Sequence, residues 1–251
     1  MDDRKFEGKV ALVTGAGSGI GRATALLFAA RGAHVILSGR RQAALDTVCE
    51  LIVELGGRGT VMPVDIADPQ SVEALHKGVL DRHGRIDIAF NNAGYRETRA
   101  ALHTQSLDCY DQVFDTNVRG LLCCLQHQVP AMISQGAGAI VVNASVSGLR
   151  NPNSGFGLYS ASKAAVISMA RSAAMEVAQH GVRINVVAPG RVATDMIMEP
   201  GIDLKAVGRS LPLGRMGTSE ELAAAVAWLA SDEASYVVGH VLCADGGFMA
   251  A

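Results

Sequence analysis

Short apolar runs alternate along the chain with longer stretches in which apolar positions recur at helical spacing. The apolar runs cover residues 9–14, 34–38, 60–64, 85–90, 139–143, 182–187 and 241–244. They are of strand length and mostly rich in Val, Ile, Leu and Ala, as expected of strands buried on both faces. The stretches between them predict helices over 22–31, 42–55, 69–82, 107–130, 158–179 and 219–230. Ser219 is the expected N-cap of the last, with acids in its first turn. Residues 191–218, rich in Gly, Pro and Met, are expected to be irregular. Strand and helix alternate throughout, so the expected class is α/β. Right-handed crossovers give a doubly wound parallel sheet with helices on both faces, in one domain spanning 1–251. Ligands then bind at the carboxyl edge of the strands.

Composition changes this picture little. The chain has 251 residues, 49% hydrophobic and 18% charged, which suits a buried sheet or a subunit that buries more surface in an oligomer. Net charge is −2 without basic blocks and aromatics are 4%, so neither nucleic acid nor an anionic membrane is an expected partner. Residues 1–9 are polar and do not read as a signal peptide. No apolar run approaches the ~20 residues of a membrane-spanning helix. Five scattered cysteines read as reduced thiols in the cytosol. Cys123, Cys124 and His127 fall in an apolar run read as a buried helix, and no second ligand pair follows, so no metal is expected.

The chemistry lies at the ends of the strands. The first runs into Gly15-Ala16-Gly17-Ser18-Gly19-Ile20-Gly21 and then a helix. Glycines there let backbone approach a pyrophosphate, and the helix start offers free N–H groups to it. The second strand ends in Ser38-Gly39-Arg40-Arg41, where an acid would bind the ribose hydroxyl of NAD. Replacing that acid by guanidinium groups suits a 2′-phosphate, with Arg40 favoured over Arg41, and points to NADP(H) rather than NAD(H). Asp65-Ile66, Asn91-Asn92-Ala93-Gly94, Ser145 and Pro189-Gly190 follow later strands and share the same edge. Tyr159 and Lys163 stand one helical turn apart. An ammonium beside a phenol should lower the phenol's pKa and poise it to exchange a proton near neutral pH.

Together, Thr14 to Gly21, Asn91 to Gly94, Ser145 with Tyr159 to Lys163, and Pro189-Gly190 with Thr194 resemble the short-chain dehydrogenase/reductase family over essentially the whole length. The resemblance implies a Rossmann-type fold and hydride transfer between a nicotinamide cofactor and a carbonyl or alcohol. Tyr159 resembles the general acid, and Lys163 the residue that tunes it and holds the nicotinamide ribose. Ser145 matches the hydroxyl that polarises the carbonyl, and Asn117 the residue that positions a water in the proton relay. Asp65 and Ile66 would meet the adenine; Asn91, Ala93 and Gly94 the adenosine side; Val192 and Thr194 the carboxamide. The resemblance also implies a homotetramer. The substrate pocket is expected to draw on Tyr95, Arg96, Asn151 to Phe156 and a lid at about 191–218 that includes Met196. These residues suggest an apolar or mixed carbonyl compound, of ketone, aldehyde or 3-oxoacyl type. The alternatives are an NAD-dependent secondary alcohol or diol dehydrogenase and, from a different class, a non-catalytic cofactor-sensing scaffold.

Overall fold

The computed structural model describes residues 4–151, 154–194 and 203–251. Seven strands form one parallel sheet: β1 (Val10–Thr14), β2 (His34–Ser38), β3 (Arg58–Val61), β4 (Ile88–Asn91), β5 (Gly138–Asn143), β6 (Val182–Pro189) and β7 (Val241–Ala244). Their order is β3-β2-β1-β4-β5-β6-β7, with every pair parallel. The chain winds outward from β1 in one direction and then returns to β4, which opens a crevice at the carboxyl ends of these two strands.

Alternation along β1 builds the two sides of the core. Val10 and Leu12 pack into one apolar cluster, Ala11 and Val13 into the other. The first cluster lies under α3 (Pro69–His83), α5 (Gly120–Gln135) and α6 (Gly157–Val177). The second lies under α1 (Gly19–Ala30), α2 (Gln42–Glu54) and α8 (Ser219–Ala230).

The structure moves several expected boundaries. The third strand is Arg58–Val61 rather than 60–64. Pro63 has no N–H for the ladder, while polar Arg58 and Gly59 pair with His34 and Val35 at the sheet edge. The fourth strand begins at Ile88, three residues later than expected. Just before it, the buried Asp87 carboxylate accepts a hydrogen bond from Val10 N at 2.9 Å. The stretch 107–130 is two helices, α4 (Leu107–Phe114) and α5, joined by a π turn at Asp115–Arg119. α5 continues past Pro130 to Gln135 and places Cys123 and Cys124 in the core. Within 191–218 a short helix, α7, covers Leu204–Arg209. The N-cap of α8 is Thr218, not Ser219: Thr218 and Glu221 bond each other reciprocally in a capping box.

Candidate active site

A cleft of ≈ 430 Å³ runs along the carboxyl edge of the sheet. At one end is the turn between β1 and α1. Gly15 (φ 66°) and Gly19 (φ 52°) adopt left-handed backbone there. A Cβ on Gly15 would come within 2.8 Å of Asn92 Nδ2. α1 starts at Gly19, inside the motif, rather than at residue 22. Its N-cap Ser18 makes no side-chain cap and its first turn carries no acid, so the leading N–H groups lie at the cleft without an internal anion. A bare backbone cradle at a helix start fits the pyrophosphate of a dinucleotide.

Gly15, Gly17, Ser18, Gly19 and Ile20 line this end. Gly21 does not, because it packs beneath the turn against Gly15 and Asn92. Arg40 and Arg41 line the cleft just beyond β2, and Arg41 Nη2 reaches Ser18 Oγ at 3.5 Å. Ser38 departs from its expected place: it is fully buried and donates to Met62 O at 2.8 Å. Asp65 and Ile66 flank the same end, and Asp65 Oδ1 accepts from Ala67 N at 3.0 Å. Ala93, Gly94, Pro189, Gly190, Val192 and Thr194 continue the wall.

Asn91 is also displaced from its expected role. It is buried in a reciprocal pair with Gln128 at 2.8 and 3.0 Å, and Gln128 continues the chain of bonds to His76 at 3.2 Å. Burial pushes His76 down to about 4, so it sits neutral as a link between β4, α3 and α5. The neighbouring Asn92, which sequence reasoning passed over, holds the crevice together instead. Its Nδ2 donates to Thr14 O and Gly15 O at 2.9 and 3.2 Å, and its Oδ1 accepts from Asn143 Nδ2 at 2.8 Å. Membership of the Asn91-Asn92-Ala93-Gly94 run was the signal that could have found it.

At the other end Ser145, Tyr159 and Lys163 converge. Ser145 follows β5 and opens a short turn, where its Oγ accepts from Ser147 N at 3.1 Å. That bond fixes the hydroxyl while leaving its proton to donate. Ser145 also faces the Tyr159 phenol, whose pKa it pulls down. Lys163 is almost fully buried, donates to Asn143 O at 2.8 Å, and lies 5.6 Å from the centre of the Tyr159 ring.

The electrostatics correct the expectation for the phenol. Burial raises its pKa above the ordinary value; Ser145 and Arg96 pull it down, and Glu97 pushes it up. Lys163 does not reverse this, because burial lowers its own pKa to about 8. In the chain alone Tyr159 is therefore a neutral donor, the form needed to protonate a developing alkoxide.

Asn117 is held by the π turn. Its Oδ1 accepts from Tyr95 N at 2.7 Å, and its Nδ2 donates to Tyr95 O at 2.8 Å and Ser162 Oγ at 2.9 Å. Behind Lys163, Asn117 and Asn143 line a small cavity of ≈ 20 Å³, room for about one water. Tyr95, expected in the substrate pocket, instead spends its backbone on Asn117 and does not line the cleft. Asn151 does not line it either. Arg96 and Phe156 do, with the guanidinium 4.6 Å above the ring. Met196 lies outside the described residues. Arg191, at the start of the expected lid segment, also lines the cleft, close enough to Arg96 for the two charges to interact.

A family model described as enoyl-(acyl carrier protein) reductase matches residues 15–249. Solved structures agree: a short-chain type dehydrogenase/reductase from Mycobacterium marinum superposes with a TM-score of 0.94 at 36% identity, covering 100% of this chain and 99% of that one. The chain belongs to the short-chain dehydrogenase/reductase family. Its relatives in this family include the cyclohexanol dehydrogenase of Acinetobacter sp., 38% identical over 97% of this chain and 96% of that protein. Another is the cis-4-hydroxycyclohexanecarboxylate dehydrogenase of Sinomonas cyclohexanicum, 39% identical over 98% of both chains. As in other members of the family, a nicotinamide cofactor and an alcohol or carbonyl substrate are the reactants.

Proposed function

We propose that this enzyme is an NADP(H)-dependent reductase of ketones, working reversibly as an alcohol dehydrogenase. The observation that carries the reading is one cleft with two ends: the glycine turn with Arg40 and Arg41, and the Ser145, Tyr159 and Lys163 set. When bound, the dinucleotide supplies or accepts the hydride at the substrate carbon. The protein's part is at the oxygen. Ser145 and Tyr159 donate hydrogen bonds to it, and the Tyr159 proton passes to it as negative charge develops. Lys163 holds the nicotinamide ribose and, with a water in the small cavity beside Asn117, restores the proton to Tyr159. Arg40 and Arg41 grip the 2′-phosphate, Asp65 and Ile66 the adenine, and Val192 and Thr194 the carboxamide.

The substrate end is mixed in character. Val146, Phe156 and Val192 offer apolar surface, and Arg96 and Arg191 bring charge to it. An alicyclic ketone fits that lining and agrees with the relatives named for cyclohexanols. In this reading the lid is drawn from the 191–218 segment, whose ends are joined by the Val192–Gly217 bridge beside the cleft. Among the described residues no helix is long and apolar enough to cross a membrane. The described cysteines are free, which agrees with a cytoplasmic setting. Exposed Leu107, Tyr110, Leu122 and Met175 on α4 to α6 agree with a homotetramer.

A panel of cyclohexanones, aldehydes and acyl thioesters, followed by loss of reduced-nucleotide absorbance, tests the reading. Cyclohexanones with NADPH should be fastest. Exclusive turnover of charged sugars or phosphates would refute the pocket, and a faster NADH rate would return the NAD-dependent alternative. Replacing Arg40 and Arg41 together with Ala should raise KM for NADPH by about 10- to 100-fold, the loss of one or two charge-assisted bonds, and leave KM for NADH nearly unchanged. An equal rise for both cofactors would place the arginines elsewhere in the reaction. Gel filtration giving a monomer mass would reject the tetramer.

A further inference from the structure

α6 carries Tyr159 in its first turn but has no local means of starting. Gly155, Phe156 and Gly157 offer no side-chain acceptor, Phe156 makes no cap, and the first turn holds no acid. The cap comes instead from a distant segment. Glu97 Oε1 accepts from Leu158 N at 3.0 Å and Tyr159 N at 3.1 Å, and Oε2 accepts from Tyr159 N at 3.1 Å. Glu97 is only 2% exposed, so a carboxylate has been brought into the interior to do what a serine at position 156 could do locally.

The neighbours of Glu97 make the same connection. Arg96 lies over Phe156 at 4.6 Å, Arg99 Nε donates to Ser154 O at 3.1 Å, and Ala100 N donates to Gly155 O at 3.1 Å. Residues 96–100 thus grasp the entry to α6 from the strip that follows β4. The carboxylate bonds the backbone N–H of Tyr159 itself, so a shift of this strip moves the phenol directly.

We propose that Glu97 is a positioning residue for Tyr159: its carboxylate caps α6 and fixes both the placement of the phenol and the charge around it. Among the described residues the charges that shift the phenol are Arg96 and Glu97, both on the strip after β4. Lys163, one turn along α6, lies 5.6 Å from the ring centre, and Arg191, beyond β6, interacts with Arg96. Glu97 is the one anion of this set. It opposes release of the phenolic proton, while Arg96 favours it. Glu97→Gln keeps the shape and one acceptor but removes the charge. The helix should still start, and the phenol should become more acidic.

The readout is the titration of Tyr159 in the cofactor-free protein, taken as tyrosinate difference absorbance against Tyr159→Phe in the same background. In Glu97→Gln the midpoint should fall by about half a unit to one unit, as expected for losing a nearby buried charge. For alcohol oxidation the phenolate is the base, so the limb on which kcat rises with pH should move the same way, with KM for the dinucleotide unchanged. A midpoint and limb that stay where they were would overturn the proposal and leave Glu97 a structural cap only. Should Glu97→Gln fail to fold, Glu97→Asp decides. It keeps the charge but retracts it by one methylene, so kcat should fall about tenfold with cofactor KM preserved. A parental kcat in Glu97→Asp would overturn the proposal. The inference rests on Tyr159 as proton donor. Full turnover by Tyr159→Phe would remove that reading, whereas an unchanged Glu97→Gln beside an inactive Tyr159→Phe would remove only this one.

Discussion

Tyr159→Phe is expected to lower kcat by about 10²- to 10⁴-fold, the range of one general acid–base group, while the folded protein still binds its dinucleotide. The two halves of that outcome rest on different contacts. The ring itself stays, so α6 keeps its packing, and Glu97 still caps the helix through backbone N–H groups that the substitution does not touch. Lys163 is held by Asn143 O and does not depend on the phenol for its position. What disappears is the hydroxyl that converges with Ser145 on the carbonyl oxygen. Ser145 remains, fixed by Ser147 N, and can polarise the substrate without giving it a proton. The residual rate should therefore exceed the uncatalysed rate, and it should lose the pH limb that reports the phenol. Stopped-flow rates for chemistry and fluorescence titration of NADPH separate the two halves. A variant within tenfold of the parent would move the proton donor to another residue.

What was legible in the sequence followed local pattern. The central strands are apolar on both faces, and the strand-end motifs fall on one edge because every strand is parallel. The glycine turn, Arg40, Arg41, Ser145, Tyr159 and Lys163 meet in one cleft as expected. The errors arose where a distant partner or burial decides. Nothing near Asn117 marks a π turn, and the backbone that claims both ends of its amide, that of Tyr95, lies 22 positions away. Ser38 and Asn91 end their strands, but their side chains turn into the protein, toward Met62 and Gln128. The rise in the Tyr159 pKa comes first from burial, a quantity that spacing along a helix does not reveal. Glu97 was missed for a related reason: its bond to α6 joins residues about sixty positions apart. The Thr218 cap differs from these, because Thr218-Ser219-Glu220-Glu221 carries the reciprocal capping pattern in plain view.

Gly21→Ala should be the most damaging single methyl in the cofactor half of the cleft. Gly21 has ordinary helical backbone, since it is absent from the glycines with positive φ, so the reason for glycine here is space rather than conformation. A Cβ would run into the carbonyl oxygen of Gly15 and come within 2.5 Å of Asn92 Nδ2 and 2.8 Å of the Gly15 carbonyl carbon. The two Gly15 atoms are backbone, and Asn92 Nδ2, though it ends a side chain, is held in place. The Gly15 carbonyl belongs to a turn already in left-handed backbone, and Asn92 Nδ2 is committed to Thr14 O and Gly15 O. Relief therefore requires α1 to move away from β1 or the Asn92 bond to open. Overpacking of this kind costs about 1–3 kcal/mol, and a lost buried hydrogen bond adds a similar amount. For a domain of this size, about 3 kcal/mol lowers Tm by roughly 6–12 °C. Because the displaced atoms form the pyrophosphate cradle, affinity for NADPH should fall with stability, whereas Tyr159→Phe should leave affinity in place. A thermal scan and a fluorescence titration on the two variants thus test opposite ends of the cleft. An alanine variant that kept both the parental Tm and the parental affinity would mean that α1 and the turn are not packed as closely as the Gly15, Gly21 and Asn92 contacts require.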